Sequence, residues 1–526
     1  MGEADRAGAG IRAPRLALDR PQWLVIGIFA VITAIGCRDM HLNADSLHYI
    51  DMARTLIEDH TLATWDLTLT AQHVPKIESL WPPMYAVLLA GPMALGFSGQ
   101  AAAAIVAVVS LTGILALLMM VARRIEWGIL LGLLLTYMTF RHGIAFRAFS
   151  ETPFMALSFA ALIVMALSLQ APPPGSWRSR GVFLALLAGS LAAMAALTRH
   201  IGFMLIPSLG LMALFAPLSS EEHRLKTRLA TLAAAAVGAG LPLVTWFARY
   251  SAAGVSYFGP DRPPSPYTIA ELFSRAANGI YIDAMLPLLV IAACVLGYHL
   301  SRDDDASGWR PFVLTLAIGA TLFAIFHEAG TIASHATIRM DNPPEGRQFF
   351  PGYAVLLLIA AALISLARPP ESLRGWRWAI VAVVALPVLG GPLVAASRAH
   401  DLTPVFSEVD RWVQSNTGRD DLVIGWRAWS VRYYTGRPVL QSGMVTEPSV
   451  YDGPAVAEFL ERFGSKFTGA WLLVPVGRPD ADQAVRSYED AGLHLEEVAE
   501  LDVSGVYHYR GIETILVYRV SGWQNR

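Results

Sequence analysis

The stretch Gln100–Arg124, QAAAAIVAVVSLTGILALLMMVARR, carries no charge until its closing pair of arginines. A hydrocarbon core of about 30 Å takes roughly 20 apolar residues as a helix, so this run predicts a membrane span that ends at a basic loop. Similar apolar runs start near Pro21, Trp127, Thr152, Gly181, Ile201, Leu229, Tyr281, Pro311, Pro351 and Trp376, which makes about eleven spans. The composition points the same way. Of 526 residues, 54% are hydrophobic and 16% charged, against roughly 25% charged in an average soluble domain. The 40 basic and 42 acidic residues nearly cancel, which argues against a basic nucleic-acid binder and against a disordered acidic tail. Cys37 and Cys294 are the two cysteines, too few for a disulfide framework or a cysteine-based zinc site. The sequence is that of a polytopic α-helical membrane protein.

Orientation follows from arginine and lysine in short loops, which stay on the cytoplasmic side. The N-terminal tail, residues 1–20, carries Arg6, Arg12, Arg15 and Arg20. Alternation from a cytoplasmic tail puts Arg123-Arg124, Arg178 with Arg180, Arg224-Lys226-Arg228, Arg302 with Arg310, and Arg374 with Arg377 on that same side. The parity holds only if the short run Met84–Phe97, which follows a Pro-Pro pair, lies at or dips into the outer interface. Residues 37–99, the loop around Arg141 to Glu151, loops 249–280 and 330–350, and everything after about Arg398 then face away from the cytoplasm. These signals predict a multi-pass protein of the cytoplasmic (inner) membrane, with a transmembrane domain over 21–396.

Residues 397–526 change character: charge rises, apolar residues alternate and turn signals appear. Asp421–Trp426 and Gly469–Val476 read as strands, Pro404–Asn416 and Pro454–Phe463 as helices. Tyr507–Tyr509 and Thr514–Val520 flank Arg510-Gly511 as a hairpin. This predicts a small C-terminal α/β domain outside the membrane.

Ionisable groups beside a membrane call for explanation, and here they gather on the outer side. Asp45, His48, Tyr49 and Asp51 follow the first span; taken alone, they read first as a solvated amphipathic helix capped by Asn43 or Asp45. Trp81-Pro82-Pro83-Met84-Tyr85 also suits an interfacial helix start. Glu151 opens an apolar span behind Ser150 and ahead of Pro153. Arg199-His200 also reads as a turn with a snorkelling arginine, and Arg347 as an interfacial anchor. His327, Glu328 and His335 have metal-ligand chemistry without His-Glu-x-x-His spacing; a divalent ion there is the sole cofactor candidate. Acids, histidines and arginines outside, with merely basic loops inside, point to an external site that combines a carboxylate base with phosphate-binding cations.

These clusters, in this order, resemble the membrane glycosyltransferases of the GT-C superfamily, and most closely its family-39-like branch of protein O-mannosyltransferases and lipid A aminoarabinose transferases. The resemblance rests on Asp45-Ser46-Leu47-His48-Tyr49 with Ala53, Trp81-Pro82-Pro83-Met84-Tyr85 with Leu88-Leu89-Ala90, Ser150-Glu151-Thr152-Pro153, Leu197-Thr198-Arg199-His200-Ile201-Gly202, Arg347-Gln348-Phe349-Phe350-Pro351 and Tyr434-Thr435-Gly436-Arg437-Pro438. It covers most of the chain. It implies transfer of a sugar from a polyprenyl-phosphate donor to a lipid, glycan or protein acceptor outside the membrane. It also implies Asp45 as catalytic base and Glu151 as a second acid. In the aminoarabinose branch a basic residue precedes the Pro-Pro pair; here Trp81 stands there.

The chemistry asks for the same residue types. A sugar leaving lipid phosphate needs a cation at the leaving oxygen, for which Arg347 is the first choice and Arg199 the second. A carboxylate that takes the acceptor hydroxyl's proton contributes typically about 10²–10⁴-fold, and attack opposite the departing phosphate inverts the anomeric centre. His48, Tyr49, Trp81, Pro82, Pro83 and Tyr85 would line the substrate groove. Two other classes remain at this point. A transporter or flippase of lipid-linked glycans predicts ionisable groups deep within spans and matching broken helices. A non-catalytic cell-envelope scaffold predicts that Asp45→Asn is silent.

Overall fold

A computed structural model describes residues 16–38, 40, 42, 44–63, 66–68, 82–141, 147–171, 180–218, 224–252, 268–279, 309–337, 346–366, 406–425, 428–441, 451–477, 481–504 and 512–523. They form two compact units. One comprises Met1–Arg38, Ala104–Ser251 and Pro264–Ser397; the other comprises Asp39–Ala103, Ala252–Pro263 and Arg398–Arg526.

The first unit is helical. α1 (Arg20–Gly36) opens with a capping box in which Asp19 accepts from the Gln22 amide at 2.8 Å and the Gln22 side chain accepts from the Asp19 amide at 2.9 Å. Pro21 occupies the first turn, where no N–H is needed. In chain order follow α4 (Gly99–Ala122), which begins in the other unit, α5 (Ile125–Arg141), α6 (Glu151–Leu169), α7 (Arg180–Thr198), a 3₁₀ turn (His200–Met204), α8 (Leu205–Phe215), α9 (Arg224–Ala252), α10 (Ile269–Gly279), α11 (Trp309–Thr337) and α12 (Gly346–Leu366). Six described helices are long and apolar enough to cross a membrane: α4, α6, α7, Leu225–Ala252 of α9, Trp309–Ala336 of α11 and Gln348–Leu366 of α12. The protein is a multi-pass membrane protein. Three further expected runs fall on the shorter apolar helices α1, α5 and His200–Phe215, while those near Tyr281 and Trp376 lie outside the described residues.

Polar groups inside this unit serve its joints. Arg228 of α9 donates to the Ala213 and Ala216 carbonyls at 2.6 and 2.7 Å, which satisfies the C-terminal end of α8 with a cation. Gln170, just beyond α6, donates to Pro217 O at 3.0 Å and to Thr315 of α11 at 3.1 Å. α7 and α9 meet backbone to backbone: a Cβ at Gly189 would stand 2.0 Å from Ala235 O, and one at Gly238 would stand 2.1 Å from Leu186 O.

The second unit is α/β. Before its sheet come α2 (Ala44–Glu58), the short strand β1 (Asp66–Thr68) and α3 (Met84–Ala94). With 11 residues, α3 is about 16 Å long, half of what a span needs. The tail adds α13 (Glu408–Asn416), β2 (Leu422–Gly425), α14 (Trp429–Thr435), β3 (Val439–Gln441), α15 (Gly453–Phe463), β4 (Ala470–Pro475), α16 (Ala481–Asp490), β5 (His494–Asp502) and β6 (Thr514–Ser521). The sheet order is β1-β3-β2-β4-β6-β5; the first four strands run parallel and the last two pair antiparallel. β1, from the first long loop, therefore extends a sheet otherwise made by the tail. Leu422, Ile424, Leu472 and Val474 face Val456, Phe459, Leu460 and Tyr488 on one side. Val423 and Leu473 face Val409, Val413 and Val431 on the other. Helices cover both faces, so β2 is buried at every residue, as parallel strands are.

The two expected tail helices and the strands around 421–426 and 469–476 are present. The hairpin strand at Tyr507–Tyr509 lies outside the described residues. β6 pairs along its whole length with β5, which the sequence hid: Glu496, Glu497 and Glu500 are exposed on this edge strand, and a bulge between Glu497 and Ala499 breaks the alternation. Gly436 takes φ 71° and closes α14, its amide donating to Arg432 O; only glycine adopts that left-handed cap without strain. Arg437 ties the turn to α13, donating to Thr435 O at 2.7 Å and Thr417 O at 2.9 Å.

Candidate functional site

Two sets of candidate residues are described, one in each unit. In the α/β unit Asp45 stands in the first turn of α2 and is half-buried. An acid there is favoured by the helix dipole. His48, one turn on, is buried, and burial pushes its imidazole down to about 4 against the opposing pull of Asp51; it is neutral at pH 7. Tyr49 meets Tyr85 of α3 edge to face, with ring centroids 4.9 Å apart, and both rings are buried, as are Pro82 and Pro83. Trp81 lies outside the described residues.

A buried ion pair beside them had no signal in the sequence. Arg432 Nε donates to Asp51 Oδ1 at 2.7 Å, with the two side chains 8% and 3% exposed. Arg54 Nη1 and Nη2 donate at 3.4 Å to the carbonyls of Arg432 and Tyr433.

In the helical unit Glu151 and Arg199 come together. Arg199 Nη1 lies 2.6 Å from Glu151 Oε1, with the carboxylate 1% and the guanidinium 22% exposed, and the same nitrogen reaches Ser150 Oγ at 3.4 Å. Glu151 begins α6 because Ser150 and Pro153 suit a helix start, while Arg199 lies in the extended residue between α7 and the 3₁₀ turn. His327 Nδ1 lies 3.2 Å from Glu328 Oε1, Tyr353 of α12 hydrogen-bonds Glu328, and the His327 ring stacks on Phe154, one turn beyond Glu151. His335 Nδ1 donates to Thr331 O at 2.8 Å, which fixes its tautomer, and its ring also bonds the Gln348 side chain. Among the described residues no three His, Cys, Asp or Glu side chains form a metal-holding group, so His327, Glu328 and His335 do not make up a ligand set. Arg347 is in the first turn of α12, but its side chain lies outside the described residues.

No family model and no curated protein matches the sequence. Solved structures do match in fold. The chain is similar to ArnT from Cupriavidus metallidurans bound to undecaprenyl phosphate, with a TM-score of 0.58 at 14% identity over 95% of this chain and 98% of that one. The chain has the GT-C fold. The Archaeoglobus fulgidus oligosaccharyltransferase tethered to an acceptor peptide shares it, with a TM-score of 0.51 at 11% identity over 96% of this chain and 74% of the other. So does AglB from the same organism in complex with an inhibitory peptide and a dolichol-phosphate, at 0.50 and 12% over 86% and 69%.

Proposed function

We propose that the chain is a membrane glycosyltransferase that moves a sugar from a polyprenyl-phosphate donor to an acceptor hydroxyl on the extracytoplasmic side. The observation that carries the reading is the fold match over nearly the full length of ArnT, a structure bound to undecaprenyl phosphate; the Archaeoglobus fulgidus structures with dolichol-phosphate and acceptor peptide support it. Asp45 is the general base. It takes the proton of the acceptor hydroxyl as the oxygen attacks the anomeric carbon, the bond to phosphate breaks on the opposite face, and the configuration inverts. Arg347 stabilises the phosphate as it leaves. Glu151, buried against Arg199, holds that guanidinium in place as a second phosphate cation.

The test uses purified protein in nanodiscs with a panel of undecaprenyl-phosphate sugars and membrane-lipid extract as acceptor. Release of undecaprenyl phosphate from one donor by wild type, and its loss in Asp45→Asn, supports the reading. Absence of turnover with every donor, or equal turnover by both proteins, overturns it.

A further inference from the structure

The tail domain grips the helix that carries the proposed base. Three consecutive residues of α2 point in three directions about 100° apart, and each meets a different element. Tyr49 packs its ring on Tyr85 of α3. Ile50 fills the space over Gly99 at the start of α4, where an added Cβ would come within 2.6 Å of Ile50 Cγ2. Asp51 accepts from Arg432 of α14 at 2.7 Å. The first two contacts are apolar and can slide by small amounts. The third is directional and almost fully buried, and it sets the height and rotation of the helix. Arg432 is itself fixed, because Nη1 donates to the carbonyl of the glycine that closes α14, Gly436. Arg54 returns the grip by donating to the α14 backbone. Shortly after α2 the chain enters the tail sheet as β1, in register with β3 from Asp66↔Val439 to Thr68↔Gln441.

We propose that Arg432 is a positioning residue for sugar transfer: through Asp51 it fixes α2 and so places Asp45. The proposal rests on the reading of Asp45 as the base. Asp51 lies six residues beyond Asp45 on one 15-residue helix, about 9 Å along its axis, so a shift at one end is felt at the other. A general base must stand within hydrogen-bond reach of the proton it takes, and a displacement of about 1 Å can cost roughly 10²-fold in rate. Arg432 touches no substrate in this account.

The experiment follows undecaprenyl phosphate release in nanodiscs, using the undecaprenyl-phosphate sugar that wild type turns over. Arg432→Gln lowers kcat by about 10- to 100-fold with donor KM within about twofold of wild type, and Arg432→Lys, which keeps the charge without the fork, recovers part of the loss. Asp421→Ala is the control. It removes the bonds from Thr468, just before β4, and from Trp471 of β4, loosens the tail, and keeps kcat. Wild-type kcat in folded Arg432→Gln overturns the proposal, and so does an equal loss in Asp421→Ala. If Arg432→Gln does not fold, the double variant Asp51→Asn/Arg432→Gln, which strands no charge, is judged by the same two outcomes. Asp45→Asn runs alongside. If it turns over like wild type, the base assignment fails and positioning falls with it; if it is inactive while Arg432→Gln is normal, positioning alone fails.

Discussion

Glu151 and Arg199 meet at 2.6 Å at the ends of α6 and α7, with the acid 1% exposed and the guanidinium 22%. Breaking a fully buried pair costs about 3–5 kcal/mol; here the outcome depends on which partner remains. Arg199→Gln strands an acid without water, whereas Glu151→Gln leaves a cation that still reaches solvent. Arg199→Gln is therefore the more destabilising change, by about 3 kcal/mol against about 1, and the double variant recovers part of the loss. Thermal midpoints of the three proteins in detergent check the order, and additive losses would rule out the coupling.

Asp45→Asn separates chemistry from folding. An acid in a first helical turn contributes about 0.3–1 kcal/mol through the helix dipole, and asparagine retains the size of the side chain. Its thermal midpoint stays near wild type while transfer falls about 10²–10⁴-fold, the usual worth of a positioned base. Single-turnover kinetics with saturating donor read the chemical step directly.

Arg347→Ala acts on the donor. A hydrogen bond to a charged group is worth about 1.5–3 kcal/mol, so undecaprenyl phosphate binds about 10- to 100-fold more weakly to the variant. Titration with undecaprenyl phosphate alone, without acceptor, measures this apart from turnover. Normal affinity would mean that another cation meets the phosphate.

What the sequence shows and hides has a physical basis. An apolar run is a local property, so Gln100–Ala122 and its counterparts predict α4 and the other long helices close to their observed starts. Charge beside a span is costly and therefore informative, which singled out Asp45, Glu151 and Arg199 as candidates, and the last two are paired in the structure. The Asp51–Arg432 pair was not legible: its members are 381 residues apart, and each reads locally as an ordinary charge on an amphipathic helix. The same holds for β1. Three residues, Asp66–Thr68, carry no alternation to recognise, and they become a strand because β3 offers an edge. The edge strand β5 was masked by its own glutamates.

Two buried groups of the α/β unit give it opposite responses to acid. Burial lowers His48 to about 4, so between about pH 6.5 and 4 the unfolded chain binds a proton that the folded one does not, and stability falls as pH drops. Burial raises Asp410 to about 6 against its bonds from Ser407, so between about pH 6 and 4 the folded chain binds the extra proton and stability rises as pH drops. The two contributions, each up to about 3 kcal/mol, nearly offset one another. His48→Gln leaves the Asp410 response alone and gains stability from pH 7 to 4.5 relative to wild type; Asp410→Asn leaves the His48 response and loses it. Thermal midpoints at the two pH values decide, and variants that both track wild type would disprove the pairing.

The α7–α9 contact makes a prediction that is independent of chemistry. Gly189 and Gly238 each face a carbonyl oxygen of the other helix at a distance that no Cβ can occupy, 2.0 and 2.1 Å, and Ser190 donates to Gly238 O at 3.3 Å across the same joint. Such small-residue crossings let membrane helices approach closely. Obstructing atoms of the backbone cannot swing aside like a side chain, so Gly238→Ala separates the helices and costs at least the 1–3 kcal/mol or so of ordinary overpacking. Gly240→Ala, two residues on, meets nothing within 4 Å and changes little, since alanine is the better helix former. A lower midpoint for Gly238→Ala alone, measured in detergent, is the expected result; equal midpoints would show that the two helices do not approach this closely in the folded protein.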